Sequence, residues 1–187
     1  VFGDVRVREA INRAVDGANI SRAMNPDSYL DGCGTAGPGV TGYDAEMCSK
    51  YFGFDPTQAV SLLNEAGYTD SDGDGILDKD GVALTVPLEV WQLDPMPRVG
   101  EAVSTQLQQI GVNVELQVVE FGTWGDDFGA GVDKLMGITG FCGEGGTTGL
   151  WGEGGYATPM GIEQFAEAQA ALSNSSQIVD AAERDAV

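Results

Sequence analysis

Apolar positions recur with helical period along much of the chain. Val7, Ala10 and Ile11 begin an i, i+3, i+4 series that continues to Val15, which predicts a helix whose N-terminus Asp4 can cap. The sequence Asp55-Pro56 combines a capping side chain with a proline suited to the first helical position. The same period predicts helices over residues 4–16, 18–24, 55–67, 99–110 and 162–174, and a short one that carries Trp124 and Phe128.

A second pattern, strict alternation of apolar and polar residues, predicts strands at two places. Leu84 to Val90 alternate before the 99–110 helix, and Val112 to Val118 alternate after it. This strand–helix–strand order over residues 82–121 predicts two parallel strands joined by a right-handed crossover. Pro87 interrupts the first strand, which predicts an edge strand or a bulge. A further buried strand is predicted over residues 135–141.

These elements predict an α/β fold in which helices pack on a mixed, mostly parallel sheet. Two glycine-rich stretches, residues 25–54 and 143–156, are predicted to be loops. Connections of that length without secondary structure of their own are usually functional.

Composition narrows the possible functions. The 187 residues include 9 Lys and Arg against 29 Asp and Glu, a net charge of −20, and no histidine. Such a charge disfavours sequence-independent binding to nucleic acid and to anionic membrane surfaces. Histidine-dependent triads and zinc sites are excluded. No apolar run is long enough to span a membrane and no signal peptide is visible. We expect the chain to be an excised piece of a larger protein, cut within a helical pattern at its C-terminal end.

The three cysteines leave two alternatives open. Cys33 and Cys48 flank a loop rich in glycine and proline, where a local disulfide is plausible, and Cys142 is left over. The other alternative is three unpaired thiols.

The segment from Asp70 to Gly81 resembles the first part of a calcium loop. Carboxylates stand at loop positions 1, 3 and 5, glycine at position 6 and another aspartate at position 9, a spacing that can wrap one cation in oxygen ligands. Position 12 is Gly81, where a bidentate Glu is expected. The predicted ligands of a structural Ca²⁺ are Asp70, Asp72, Asp74 and Asp78. The alternative is an acidic surface turn in which Asp80-Gly81 forms a tight hairpin.

Aromatic residues concentrate in the C-terminal half, at predicted strand ends and loops. Pocket walls are usually apolar and aromatic, with few polar anchors. Phe121, Phe141 and Trp151 are candidates for such a wall, and a place in the core is the alternative for Phe121 and Phe141. The helical spacing of Trp124 favours the core. Glu144 and Glu153 permit a paired-carboxylate hydrolase, or a carboxylate that receives a ligand ammonium.

Several stretches together resemble one family, the extracytoplasmic solute-binding proteins of peptide and nickel ABC transporters (family 5). Residues 5–16 resemble the helix that begins the family's C-terminal lobe, and residues 34–44 its glycine-proline loop. The Asp55-Pro56 helix with Ala66-Gly67-Tyr68, the acidic turn after it and residues 106–112 also match, in order.

This resemblance implies a type II periplasmic-binding-protein fold and a binding protein rather than an enzyme, with no required cofactor. Residues 1–187 would form a single lobe, the C-terminal half of a two-lobed cleft. Its partners would be a peptide or similar solute and an ABC permease, outside the cytoplasm. The residues expected to bind ligand are Phe121, Phe141, Glu144 and Trp151. The alternatives are a calcium-dependent structural or adhesion module and a hydrolase domain.

Overall fold

The computed structural model describes residues 1–24, 26, 43–129, 136–138 and 170. Its helices are α1 (Val5–Ala14), α2 (Gly17–Met24), α3 (Ala45–Phe52), α4 (Pro56–Glu65), α5 (Met96–Gln108) and α6 (Phe121–Gly129). Its strands are β1 (Asp78–Lys79), β2 (Val82–Ala83), β3 (Thr85–Trp91), β4 (Asn113–Val119) and β5 (Met136–Ile138). The later predicted elements, from residue 143 to the C-terminus, lie outside the described residues.

The helix starts follow the capping signals of the sequence. The Asp4 carboxylate accepts a hydrogen bond from the Arg6 backbone N–H at 2.9 Å, and the Asp55 carboxylate accepts one from the Gln58 N–H at 2.9 Å. Each bond satisfies a donor that has no partner inside the helix. Leu63 on α4 is fully buried in the same core as Val7 of α1. The two predicted helices are therefore confirmed, and they pack together.

Helix α3 corrects the prediction of an uninterrupted loop over residues 25–54. The Asp44 carboxylate accepts hydrogen bonds from the backbone N–H groups of Glu46 and Met47, at 2.8 and 3.0 Å. Buried Arg13 of α1 donates to the Lys50 carbonyl at 3.0 Å, which ties α3 to the core. The many glycines of the stretch favoured a loop, so a prediction from composition missed this capped helix of about two turns.

Cys48 on α3 forms a disulfide bond, so the alternative of three free thiols is wrong. Cys33 and Cys142 both lie outside the described residues. The predicted pairing of Cys48 with Cys33 therefore stays a prediction.

The described part of the main sheet has the strand order β4-β3-β5, and both pairings are parallel. Helix α5 forms the crossover between β3 and β4, as predicted. Val86, Leu88 and Val90 on one face of β3 are fully buried in the core. This face packs against α5, where a Cβ atom on Gly100 would lie 2.8 Å from Leu116 Cδ1 and 3.0 Å from Val90 Cγ1.

Pro87 lies in β3, the central strand of the described sheet. The prediction that Pro87 marks an edge strand or a bulge is therefore wrong. Its in-register partner on β4 is Glu115. On the other side, described pairing with β5 begins only at Leu88, opposite Met136.

Candidate functional site

Strands β3 and β4 remain paired to their carboxyl ends, where the chain turns into α6. The Gln92 N–H donates to the Val119 carbonyl at 2.9 Å, one residue beyond β3. Helix α6 begins at Phe121, and the Trp124 N–H donates to the Glu120 carbonyl at 2.9 Å. In open α/β sheets this carboxyl edge is where ligands bind.

An aromatic cluster of Trp91, Phe121 and Trp124 lies at this edge. The Trp91 and Phe121 ring centroids are 4.9 Å apart with an interplanar angle of 42°. The Phe121 and Trp124 rings are stacked at 14° with centroids 6.3 Å apart. Both separations fall in the range in which aromatic pairs attract each other beyond their area burial. The cluster therefore holds Phe121 in a defined orientation.

Phe121 is the predicted ligand-binding residue that the structure places at this edge. Its side chain is 55% exposed although it contacts two tryptophans. Trp124 is 1% exposed, which confirms the prediction that it belongs to the core. An aromatic ring at the carboxyl edge of a parallel sheet is a candidate for the wall of a ligand pocket.

The sequence reasoning missed Trp91, which supports Phe121 from the last position of β3. The signal was available, since Trp91 follows the alternating positions of β3 and lies at a strand's carboxyl end. Its indole Nε1 is buried and has no hydrogen-bond partner among the described residues.

Glu89 is the second residue that sequence reasoning missed. It lies on the same face of β3 as Trp91 and is 2% exposed. Burial raises the pKa of the Glu89 carboxyl group, and hydrogen bonding with Asp127 of α6 and the charge of Asp127 raise it further. The available signal was a carboxylate inside an otherwise apolar strand.

The other candidate ligand-binding residues, Phe141, Glu144 and Trp151, lie outside the described residues, as do Glu153 and Tyr156. Their expected roles therefore stay predictions.

The acidic loop brings three of its four predicted metal ligands together. Asp70, Asp72 and Asp74 each place one carboxylate oxygen within 4.8 Å of the others, and all three side chains are exposed. The Asp70 carboxylate also accepts hydrogen bonds from the Gly73 and Gly75 N–H groups, at 2.8 and 3.1 Å. These donors shape the loop around its own carboxylates.

Asp78, the fourth predicted ligand, is engaged elsewhere. Its carboxylate accepts hydrogen bonds from the Ser71 N–H at 2.9 Å and from the Ser71 hydroxyl at 2.7 Å, and these bonds lower the Asp78 pKa. The predicted hairpin is confirmed, since β1 and β2 pair antiparallel around Asp80 and Gly81, both at positive φ.

Among the helices that the structure describes, none has the length and apolar character needed to cross a bilayer.

Residues 1–140 match the sequence family described as "Bacterial extracellular solute-binding proteins, family 5 Middle". Among characterised relatives, the chain is similar to the oligopeptide-binding protein AppA of Bacillus subtilis (strain 168). The two are 32% identical over 127 residues, which is 65% of this chain and 22% of AppA.

Solved structures show the same fold. The B. subtilis AppA structure, in complex with a nonapeptide, aligns with a TM-score of 0.75 at 23% identity, over 98% of this chain and 38% of that one. NikA from Brucella suis, in complex with Fe(III)-EDTA, aligns with a TM-score of 0.78 at 23% identity over the same shares. Both are type II periplasmic binding proteins, which confirms the predicted fold class. The chain thus spans well under half the length of these relatives.

Proposed function

Since the chain belongs to family 5 of the bacterial extracellular solute-binding proteins, we propose that it forms one lobe of a two-lobed protein that captures a peptide outside the cytoplasm. The captured peptide is then delivered to an ABC import permease. The observation that carries this proposal is the exposed Phe121 ring, held at the carboxyl edge of the parallel strands by Trp91 and Trp124.

The proposed role of Phe121 is to form part of one wall of the ligand cleft. A second lobe would close over this wall and bury the peptide between two faces, as hinged binding proteins do. Closure would remove the exposed ring from water, and the area buried would favour the closed, loaded state. The ring is held in place before ligand arrives, so little side-chain entropy is lost on binding.

The peptide as ligand is supported by the AppA likeness, because that relative is named an oligopeptide-binding protein. We propose that Phe141, Glu144 and Trp151 complete the wall and that the Glu144 carboxylate receives an ammonium group of the peptide. In this role the protein binds its ligand and releases it chemically unchanged.

The test uses the complete two-lobed protein and a tryptic peptide mixture. Native mass spectrometry identifies the peptides that bind, and calorimetry gives the Kd of the tightest. Phe121→Ala is expected to weaken binding by about 2 kcal/mol, roughly thirtyfold in Kd, because aromatic anchors in binding surfaces have effects of this size.

Phe54→Ala is the matched control. Phe54 is 51% exposed but precedes α4 and is not part of the aromatic cluster, so we expect this variant to bind with an unchanged Kd. An equal Kd for Phe121→Ala and the unsubstituted protein would remove Phe121 from the site. Recovery of cleaved peptides in place of intact ones would favour the hydrolase alternative.

A further inference from the structure

The exposed ring of the proposed cleft wall has a carboxylate next to it. Glu120 directly precedes Phe121 and is exposed. Its backbone carbonyl accepts the Trp124 N–H at 2.9 Å, which fixes Glu120 at the start of α6. The carboxylate and the ring therefore belong to adjacent residues at the carboxyl edge of the parallel strands.

The Glu120 carboxylate has no partner in the part of the chain that the structure describes. It forms no ion pair and no side-chain hydrogen bond with a described residue. Arg98, in the first turn of α5, is already paired with Asp94 at 2.9 Å. The negative charge of Glu120 is thus free to meet a group of the ligand.

Leu93 adds apolar surface beside this carboxylate. The Gln92 N–H donates to the Val119 carbonyl at 2.9 Å, so the chain that leaves β3 runs alongside the residues that lead from β4 into α6. Leu93 follows this hydrogen bond by one residue and is 60% exposed. Together with Phe121, it offers aliphatic and aromatic surface next to a negative charge.

The charge around this surface is negative as well. Asp126 and Asp127 are both exposed and lie on α6 within two turns of Glu120. The whole chain carries a net charge of −20. A field of this sign attracts cationic ligands and repels anionic ones. The complementary ligand group is therefore basic.

Among basic side chains, arginine matches both the apolar and the charged part of this surface. Its methylene stem packs on apolar side chains, and its planar guanidinium stacks on aromatic rings. The same group pairs with a carboxylate through two parallel N–H bonds. A lysine ammonium is a strongly hydrated point charge without a plane that can stack. The surface therefore favours arginine over lysine, and both over neutral or acidic side chains.

We propose that Leu93, Glu120 and Phe121 form a subsite for a basic side chain of the bound peptide, in which an arginine stacks on the Phe121 ring and pairs with the Glu120 carboxylate. This inference rests on the proposed function and names the class of peptide that the lobe selects. The contact is additional to the one proposed for Glu144.

The test uses the complete two-lobed protein and alanine-based nonapeptides, the peptide length in the AppA complex. One series carries a single arginine at each position in turn, and the matched series carries citrulline, which has a similar shape without the charge. Calorimetry gives each Kd. For at least one position, the arginine peptide is expected to bind roughly tenfold or more tightly than the citrulline peptide, the size of one charge-assisted contact. The Kd of the corresponding lysine peptide should lie between the two.

Glu120→Gln should remove this preference. The Kd of the arginine peptide is expected to rise by roughly tenfold and that of the citrulline peptide to stay constant. Glutamine keeps the size of the side chain and the backbone bond at the start of α6. Glu120→Lys should reverse the preference, so that a peptide with glutamate at that position binds more tightly than the arginine peptide. A role of Glu120 confined to the stability of α6 would leave the ratio of the Kd values unchanged.

Glu115→Gln is the matched control. Glu115 is an exposed carboxylate on β4, five residues before Glu120, and its in-register partner is Pro87. At about 3.3 Å per residue it lies roughly 16 Å from Glu120 along the strand direction. The ratio of the arginine and citrulline Kd values should therefore be the same in this variant as in the unsubstituted protein.

Equal Kd values for the two series at every position would overturn the subsite, and so would an arginine preference that survives Glu120→Gln. A lysine peptide that binds as tightly as the arginine peptide would contradict the stacking on Phe121. In each of these cases the proposed function still stands if peptides of the tryptic mixture bind. Absence of binding by every peptide, in both series and in the tryptic mixture, overturns the proposed function and the subsite with it.

Discussion

Single aspartates define where helices of this chain begin. Asp4, Asp44 and Asp55 each place a carboxylate on the backbone N–H groups of the first turn of α1, α3 and α4. A negative charge at a helix N-terminus is also favourable to the helix dipole. Part of the acidic composition is thus explained by local structure. The hydrogen bonds with Arg6 additionally lower the pKa of Asp4 to about 2.

Single residues also decide whether the acidic loop binds calcium, which stays a prediction. Asp70, Asp72 and Asp74 converge closely enough to supply three oxygen ligands, and Asp78 is hydrogen-bonded to Ser71. We expect Ca²⁺ to raise the Tm of the protein and Asp72→Asn with Asp74→Asn to abolish that rise, because each substitution removes a charged ligand.

Asp80→Asn is the matched control for this experiment, measured by thermal unfolding with Ca²⁺ and with a chelator. Asp80 is an exposed carboxylate of the same hairpin outside the cluster, and asparagine tolerates its positive φ. The control should retain the full response to Ca²⁺. A Tm that is insensitive to Ca²⁺ in the unsubstituted protein would leave the loop as an acidic turn.

At the scale of elements, α5 packs closely on the sheet because residue 100 is a glycine, which has no side chain. Gly100 lies where α5 crosses β3 and β4, and a Cβ atom there would force the Leu116 and Val90 side chains to shift. The close approach lets Val103 and Leu107 reach the same core as Val86 and Leu88. The crossover that brings the two strands' carboxyl ends together is therefore tightly packed.

Gly100→Ala is expected to destabilise the protein by about 1–3 kcal/mol, because the added methyl group overpacks a filled core. Urea unfolding measures the change in the free energy of unfolding. Gly17→Ala is the control, since a Cβ atom at Gly17 meets nothing within 4 Å and its φ is not positive. A stability of Gly100→Ala equal to that of the control would contradict the close packing of α5.

At the scale of the whole molecule, the net charge of −20 acts on stability as well as on partner choice. The described ion pairs join Arg6 to Asp4, Arg13 to Glu9 and Arg98 to Asp94, and each includes a partly or largely exposed side chain. Exposed ion pairs of this kind stabilise a protein little. Because 29 acidic residues face 9 basic ones, most of the acidic charge has no basic partner and is self-repulsive. Salt screens such repulsion.

Adding NaCl at neutral pH is therefore expected to raise the Tm of the chain by roughly 2–4 °C, the shift that about 1 kcal/mol produces in a domain of this size. The same addition near pH 4 should have little effect, because the sequence pI is about 4.1 and the net charge is then small. Differential scanning calorimetry at both pH values checks this. An equal rise at both would show that salt acts through something other than repulsion.

What the sequence determined by itself is local and periodic. Helix starts at Asp4 and Asp55, the strand–helix–strand order and the Asp80-Gly81 hairpin all followed from neighbouring residues, because capping, hydrophobic period and turn chemistry operate over a few positions. Ordered motif matches along the chain indicated the family. Phe121 was a candidate for a pocket wall from its place at a predicted strand end, and the resemblance indicated the same residue.

Only the tertiary structure decided which distant residues meet. Pro87 lies in a central strand, Arg13 of α1 donates to α3, and Trp91 contacts Phe121. Each of these arrangements joins segments that are far apart in sequence. The alternation of residues along a strand does not predict which element packs on the second face of that strand, and neither does the identity of a single residue. That choice is made when the whole chain buries its apolar surface, and it leaves the Glu89 side chain buried on the same face of β3 as Trp91.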